Sequence, residues 1–179
     1  LTERTILAHC IYLSAHERSL LQSCGCAIAH CPSSNRFLQS GVMGLRQMMY
    51  EGFRIGLGTD VAGGYSLSLL NEAKEAVESS KTWRIMHRDT PLLPVTVEEA
   101  VWLATLGGAR ALGLDAAIGN FRVGKQADFI VCSDAESVSE YNTFAAPSHR
   151  LARLVYQAHP ACVQHVVVQG TTIFERSRS

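Results

Sequence analysis

"RIGLGTDVAGG", residues 54–64, sets an apolar, strand-like run against one aspartate, Asp60, with Gly63 and Gly64 close behind. A carboxylate at the end of a strand is costly to desolvate unless something pairs with it. Asp60 therefore either caps the segment that follows or meets a metal or a reacting group. Gly63 and Gly64 read as a plain turn or as points where the backbone must come close to a neighbour.

Upstream of this run the same rhythm occurs twice. "TILAH" (5–9) reads as a short buried strand, and "SAHE" (14–17) as a capping box with Ser14 as N-cap and Glu17 reaching back. The helix it opens carries Leu20 and Leu21 and stops near Gly25. "CAIAH" (26–30) is a second buried strand, "CPSSN" (31–35) a turn, and "GVMGLRQMMYEG" (41–52) a helix closing at Gly52. "RIGLG" (54–58) is then the third strand. Strands that are continuously apolar, separated by helices, point to a parallel sheet covered by helices.

Downstream, a helix begins near Ser68 with Leu70, Ala73, Ala76 and Val77 as its apolar stripe. "TVEE" (96–99) is a second capping box, opening a helix through about Ala111. Gly107 and Gly108 interrupt it and imply close packing or a bend. The character changes after Leu114. "FIVC" (129–132) is a strand, 133–149 a long polar loop, "HRLARLVYQ" (149–157) a short helix, and "VQHVVVQGTTIF" (163–174) a hairpin around Gly170. The fold class expected is α/β: a parallel α/β region over 1–113 and a β-rich region over 114–179.

Composition narrows the partners. The 179 residues are 47% hydrophobic and 18% charged, with 16 basic and 16 acidic side chains. No basic stripe is visible, so a nucleic-acid backbone is not expected as a partner. No run is apolar for the roughly 18 residues of a membrane span. The six cysteines form no paired CxxC zinc pattern and read as reduced, structural thiols, which places the chain in a reducing, cytoplasmic setting. The opening "LTERTILAHC" enters a strand almost at once and reads as a chain cut within a longer protein.

Sites in parallel α/β folds form at the carboxyl ends of strands. His9, His30 and Asp60 fall there, one on each successive strand. Each alone has a structural reading, a hydrogen-bonded histidine or a capping aspartate. Together they fit a metal-assisted hydrolase, since histidine and aspartate are both metal ligands and acid–base groups. The set is short of ligands, because a catalytic zinc takes three from the protein, and the sequence has neither HxH nor HExxH.

"LAHC", "SAHE", "IAHCPSSN", "IGLGTDVAGG", "ATLGGARALGL" and "IGNFRVGKQADFIV" occur in the order seen in the amidohydrolase superfamily, and their wording resembles its guanine-deaminase family. The resemblance covers nearly the whole chain and is weakest over 133–160. It implies a (β/α)₈ TIM-type barrel with a small β-sandwich. This chain would hold the last three strand–helix units (strands 6–8) and the C-terminal part of the sandwich. It implies zinc, one per complete site and not retained by this chain alone. Asp60 would bind it and take the proton from its water, and His9 would steady the hydroxide. The resemblance assigns His30 no such role; it reads as sitting behind them, orienting a loop with Ser34 and Asn35, and Gly63 and Gly64 would let the backbone approach the substrate or pack tightly. The implied reaction converts guanine and water to xanthine and ammonia, in a homodimer, with no nucleic-acid or membrane partner. On this mapping the family's first-strand HxH, and its fifth-strand histidine followed by a glutamate, belong upstream of Leu1 and are absent from this sequence. The chain alone is therefore expected to be inactive. Two other readings stand beside this one: an amidohydrolase acting on another aminated ring such as adenosine, a triazine or a pterin, or a non-catalytic barrel remnant that packs on a partner.

Overall fold

The computed structural model describes residues 1–133, 146–157 and 159–177. Three short strands, β1 (Ile6–Ala8), β2 (Ala27–His30) and β3 (Arg54–Leu57), form a parallel sheet in the order β1-β2-β3, with Leu7 opposite Ile28 and Ile28 opposite Ile55. In-register parallel strands bring their carboxyl ends to one edge, and that edge carries His9, His30 and Asp60.

The crossover from β1 to β2 is α1 (Ala15–Ser23), opened by the expected Ser14–Glu17 capping box and closed before Gly25, which takes φ +66°. From β2 to β3 the chain makes two short helices, α2 (Pro32–Phe37) and α3 (Leu45–Tyr50). The expected turn at 31–35 is thus corrected to a helical turn. Its Pro, Ser and Asn are turn formers in isolation, but Pro at the first helical position is also a helix start.

After β3, α4 (Leu69–Met86), capped by Ser68, packs against β3 and α2. Next comes α5 (Val97–Trp102), opened by the Thr96–Glu99 capping box. It runs through a π-helical turn (Leu103–Gly107) into α6 (Gly108–Ala111). The core lies between sheet and helices, built from Ile28 and Ile55 of the strands with Met43, Leu45, Ala73, Ala76, Val77, Val95 and Leu103. Arg46 of α3 locks α5 in place, its Nη1 donating to Glu99 Oε1 at 2.6 Å.

The glycines of the π turn sit where the helix meets β3. A Cβ on Gly56 would lie 2.8 Å from Gly108 Cα, and one on Gly107 would lie 2.9 Å from the Ile55 carbonyl oxygen. The expected close packing is present, backbone against backbone. A Cβ on Gly108 itself would meet only the Leu103 carbonyl oxygen, at 3.4 Å.

A second, antiparallel sheet follows in the order β4 (Phe129–Cys132), β5 (Val163–Val168), β6 (Thr171–Glu175). Gln169 and Gly170, at φ +50° and +77°, make the two-residue turn of the β5–β6 hairpin. Between β4 and β5, α7 (Pro147–Tyr156) returns to the first region. It buries Val155 in that core, and Tyr156 Oη donates to Glu78 Oε1 at 2.5 Å. The loop expected over 133–149 lies largely outside the described residues. All six cysteines are free thiols. Among the described residues no helix is long and apolar enough to cross a membrane.

One strand departs from expectation. β1 reads as buried in the sequence, yet Ile6 is 42% exposed. Among the described residues it pairs only with β2, so an apolar composition does not by itself bring burial on both sides.

The glycine contact gives an asymmetric expectation. Gly56→Ala should lower the stability of the protein that carries this chain by about 1–3 kcal/mol, because backbone must move to admit the methyl. Gly108→Ala should change it by under about 1 kcal/mol, since helix propensity favours alanine. Urea-denaturation midpoints of the two variants check this.

Candidate active site

β1 ends at Ala8, and His9 extends its pairing by one bond, donating its backbone N–H to the Ala29 carbonyl at 3.0 Å. The chain then turns sharply: His9 and Cys10 take φ +68° and +50°. Asp60, just beyond β3, takes φ +48°. Left-handed backbone is uncommon for such residues and, where it persists, concentrates at functional sites.

The two turns face one another. His9 Nε2 lies 3.8 Å from Asp60 Oδ2, and both side chains are 40% exposed at the open edge of the sheet. Neither is held directly by the other. Ser34 Oγ donates to Asp60 Oδ2 at 2.5 Å, and His9 Nδ1 donates to Asn35 Oδ1 at 2.8 Å. With Nδ1 donating to Asn35, Nε2 is the ring nitrogen turned towards Asp60. Ser34 and Asn35 are consecutive, buried residues of α2, so one helical turn orients both groups.

Gly63 and Gly64 close the floor. A Cβ on Gly63 would fall 2.8 Å from Asp60 Oδ2 and 3.1 Å from Ser34 Oγ, and one on Gly64 only 1.9 Å from the Thr59 carbonyl oxygen. The turn and the close approach coincide here: residues 62–63 form a turn, and a side chain at Gly63 or Gly64 would meet its neighbours. The Gly64 N–H donates back to the Asp60 carbonyl at 2.6 Å.

His30 is placed differently from the other two strand-end residues. Its ring is fully buried behind the open edge and makes no hydrogen bond with Ser34 or Asn35. Burial, and secondarily the charge of His9, pushes its pKa down to about 3, so the ring is neutral at physiological pH. Next to it the Cys31 thiol is pushed up to about 11, chiefly by burial and then by Asp60 and Glu72, and is no nucleophile at neutral pH. Among the described residues, His30 Nδ1 and Nε2, Ser33 Oγ and Asn35 Nδ2 are buried without a hydrogen-bond partner. These orphaned polar atoms cluster around the start of α2.

Sequence reading overlooked two residues here, Glu72 and Glu75 of α4. Both are buried beneath α2, where Glu72 Oε2 accepts the Ser33 N–H at 3.2 Å and Glu75 pairs with Arg36. The available signal was two carboxyl groups three residues apart, flanking the apolar stripe of Ala73, Ala76 and Val77.

Asp60 is a suitable donor for a divalent metal, exposed on one side and oriented on the other. The chain's own donor set is partial: among the described residues, no three His, Cys, Asp or Glu side chains are placed to hold one ion.

The model of the amidohydrolase family matches residues 1–173. The chain belongs to the amidohydrolase family. This amidohydrolase chain is 45% identical over 144 residues to the guanine deaminase of Homo sapiens, covering 80% of itself and 31% of that relative. It superposes on a guanine deaminase from C. acetobutylicum, solved with guanine in the active site. The TM-score is 0.86 at 29% identity, over 95% of this chain and 39% of that one. An adenosine deaminase from Xanthomonas campestris with bound zinc gives a TM-score of 0.77 at 29% identity, over 96% of this chain and 37% of that one. The chain spans about a third of the length of the curated relatives it matches.

The buried His30 sets an acid limit on this amidohydrolase fold. Its folded pKa lies below the unfolded value of 6.5, so the unfolded chain binds the proton more readily. The stability it contributes is complete above about pH 6.5 and is lost as pH falls from there towards 3. Replacement with an apolar residue, His30→Leu, should flatten that part of the stability–pH curve. An unchanged acid slope by chemical denaturation would contradict the assignment.

Proposed function

We propose that this chain is part of a zinc-dependent guanine deaminase and supplies Asp60 and His9 to its active site. The observation that carries the reading is the facing of the Asp60 carboxylate and the His9 imidazole at one sheet edge, each oriented by α2. The relatives named above support the choice of substrate. In this reading residues 1–113 form the last three strand–helix units of a (β/α)₈ barrel, and 114–179 part of a β-sandwich. The homodimer implied by the resemblance belongs to the same reading.

Asp60 would hold the zinc, with further donors from outside the described residues. Zinc, when bound, supplies the Lewis acidity that makes a water nucleophilic near neutral pH. The chain's own residues then do three things. Asp60 accepts a proton from the attacking water. His9 Nε2 hydrogen-bonds to the attacking oxygen and keeps it aimed at the purine carbon that bears the amino group. Ser34 and Asn35 keep the two groups from rotating away, so the geometry is set before substrate arrives. One water proton ends on the ring nitrogen beside the attacked carbon. The other reaches the amino group, which leaves as ammonia, and xanthine remains.

In the protein that carries this chain, Asp60→Asn should lower kcat on guanine by at least about 100-fold, the scale of a lost acid–base group. His9→Ala should lower kcat strongly while zinc per protein, by elemental analysis, stays near that of the unsubstituted protein. Parallel loss of zinc and turnover in His9→Ala would assign His9 to the metal instead. Near-normal turnover in Asp60→Asn would favour a non-catalytic barrel. A panel of adenosine, triazine and pterin substrates separates guanine from other aminated rings.

A further inference from the structure

α2 cannot cap itself. Its N-cap residue is Cys31, whose side chain makes no capping hydrogen bond, and Pro32 follows at the first helical position. The amide of Ser33 would be left as a buried, unpaired donor, which is costly in a segment shielded from water. Glu72 fills that place from another helix. Its side chain is fully buried, and Oε2 accepts the Ser33 N–H at 3.2 Å across 39 residues of sequence. Asn71 Nδ2 reaches its other oxygen at 3.4 Å. One turn further along α4, Glu75 pairs with Arg36 near the other end of α2, and Lys74 supports it at 3.8 Å. Two carboxyl groups of α4 thus grip a helix of only six residues at its two ends.

We infer that Glu72 is a positioning residue of the active site: it caps α2 in trans and so sets where Ser34 and Asn35 hold Asp60 and His9. The path is short. Glu72 fixes the Ser33 amide; the next residue, Ser34, donates to Asp60; the one after, Asn35, accepts from His9. Glu72 touches neither Asp60 nor His9. A shift of α2 by a fraction of an ångström would move both groups together, which changes turnover more than substrate binding.

The inference rests on the proposed deaminase reading for its activity arm and carries a second arm that does not. In the protein that carries this chain, Glu72→Ala should lower kcat on guanine at least 10-fold with KM changed less than 3-fold. It should also speed amide hydrogen exchange over residues 31–38 at least 10-fold. Glu72→Gln keeps a carbonyl oxygen for the Ser33 amide and should retain kcat within 3-fold and near-normal exchange. Val77→Ala, a core truncation on the same helix, should lower the thermal midpoint while leaving kcat per folded protein and exchange over 31–38 unchanged. If Glu72→Ala does not fold, Glu72→Asp, one methylene too short to reach, takes its place with the same expectations. Unchanged exchange over 31–38 in the truncated variant, or an equal kcat loss in Val77→Ala, overturns the inference. Failure of the unsubstituted protein to deaminate guanine overturns the functional reading instead, and the exchange comparison still tests the cap.

Discussion

Two hydrogen bonds leaving one helical turn hold the site together, Ser34 Oγ to Asp60 and His9 Nδ1 to Asn35. The groups they hold stand on left-handed backbone, which costs on the order of 1–3 kcal/mol per residue where nothing compensates. A hydrogen bond to a charged group returns about 1.5–3 kcal/mol and a neutral one about 1. The terms are of one size, so neither turn is secure on its own. The strained turns, the α2 hydrogen bonds and the glycines beneath Asp60 form one unit. A methyl at Gly63 would intrude on the very oxygen that Ser34 engages.

The rest of the fold brings this unit to the sheet edge. Parallel register places the ends of β1 and β3 on either side of β2, and the chain leaving β2 passes directly into α2. α2 therefore lies between the two turns it orients. The tight seating of Gly107 and Gly108 against β3 holds the helical layer on the sheet, and α4 in that layer carries Glu72 and Glu75. The buried, neutral His30 supplies bulk behind His9 without competing for Asp60.

Much of this was legible in the sequence because the signals are local. The capping boxes at Ser14 and Thr96, the helix start near Ser68, the Gly25 stop and the Gly170 hairpin all act within a few residues, and all occur. The convergence of His9 and Asp60 follows from the parallel rhythm of the strands. α2 was not legible, because what stabilises it comes from α4, far along the chain, while its own residues favour a turn. For the same reason no local signal ties Glu72 and Glu75, beside the apolar stripe of α4, to α2. His30 followed the strand-end pattern of His9, but His9 leaves β1 in a left-handed turn and emerges, whereas His30 is still within β2 and stays buried.

Asp60 as a zinc ligand beside a non-ligating His9 is tested by anomalous diffraction at the zinc edge from crystals of the protein that carries this chain. A peak is expected roughly 2.0–2.2 Å from an Asp60 carboxylate oxygen, with His9 Nε2 beyond bonding distance and His9 still hydrogen-bonded through Nδ1 to Asn35. A peak whose ligands leave out Asp60, or one bonded to His9 Nε2, would contradict that assignment.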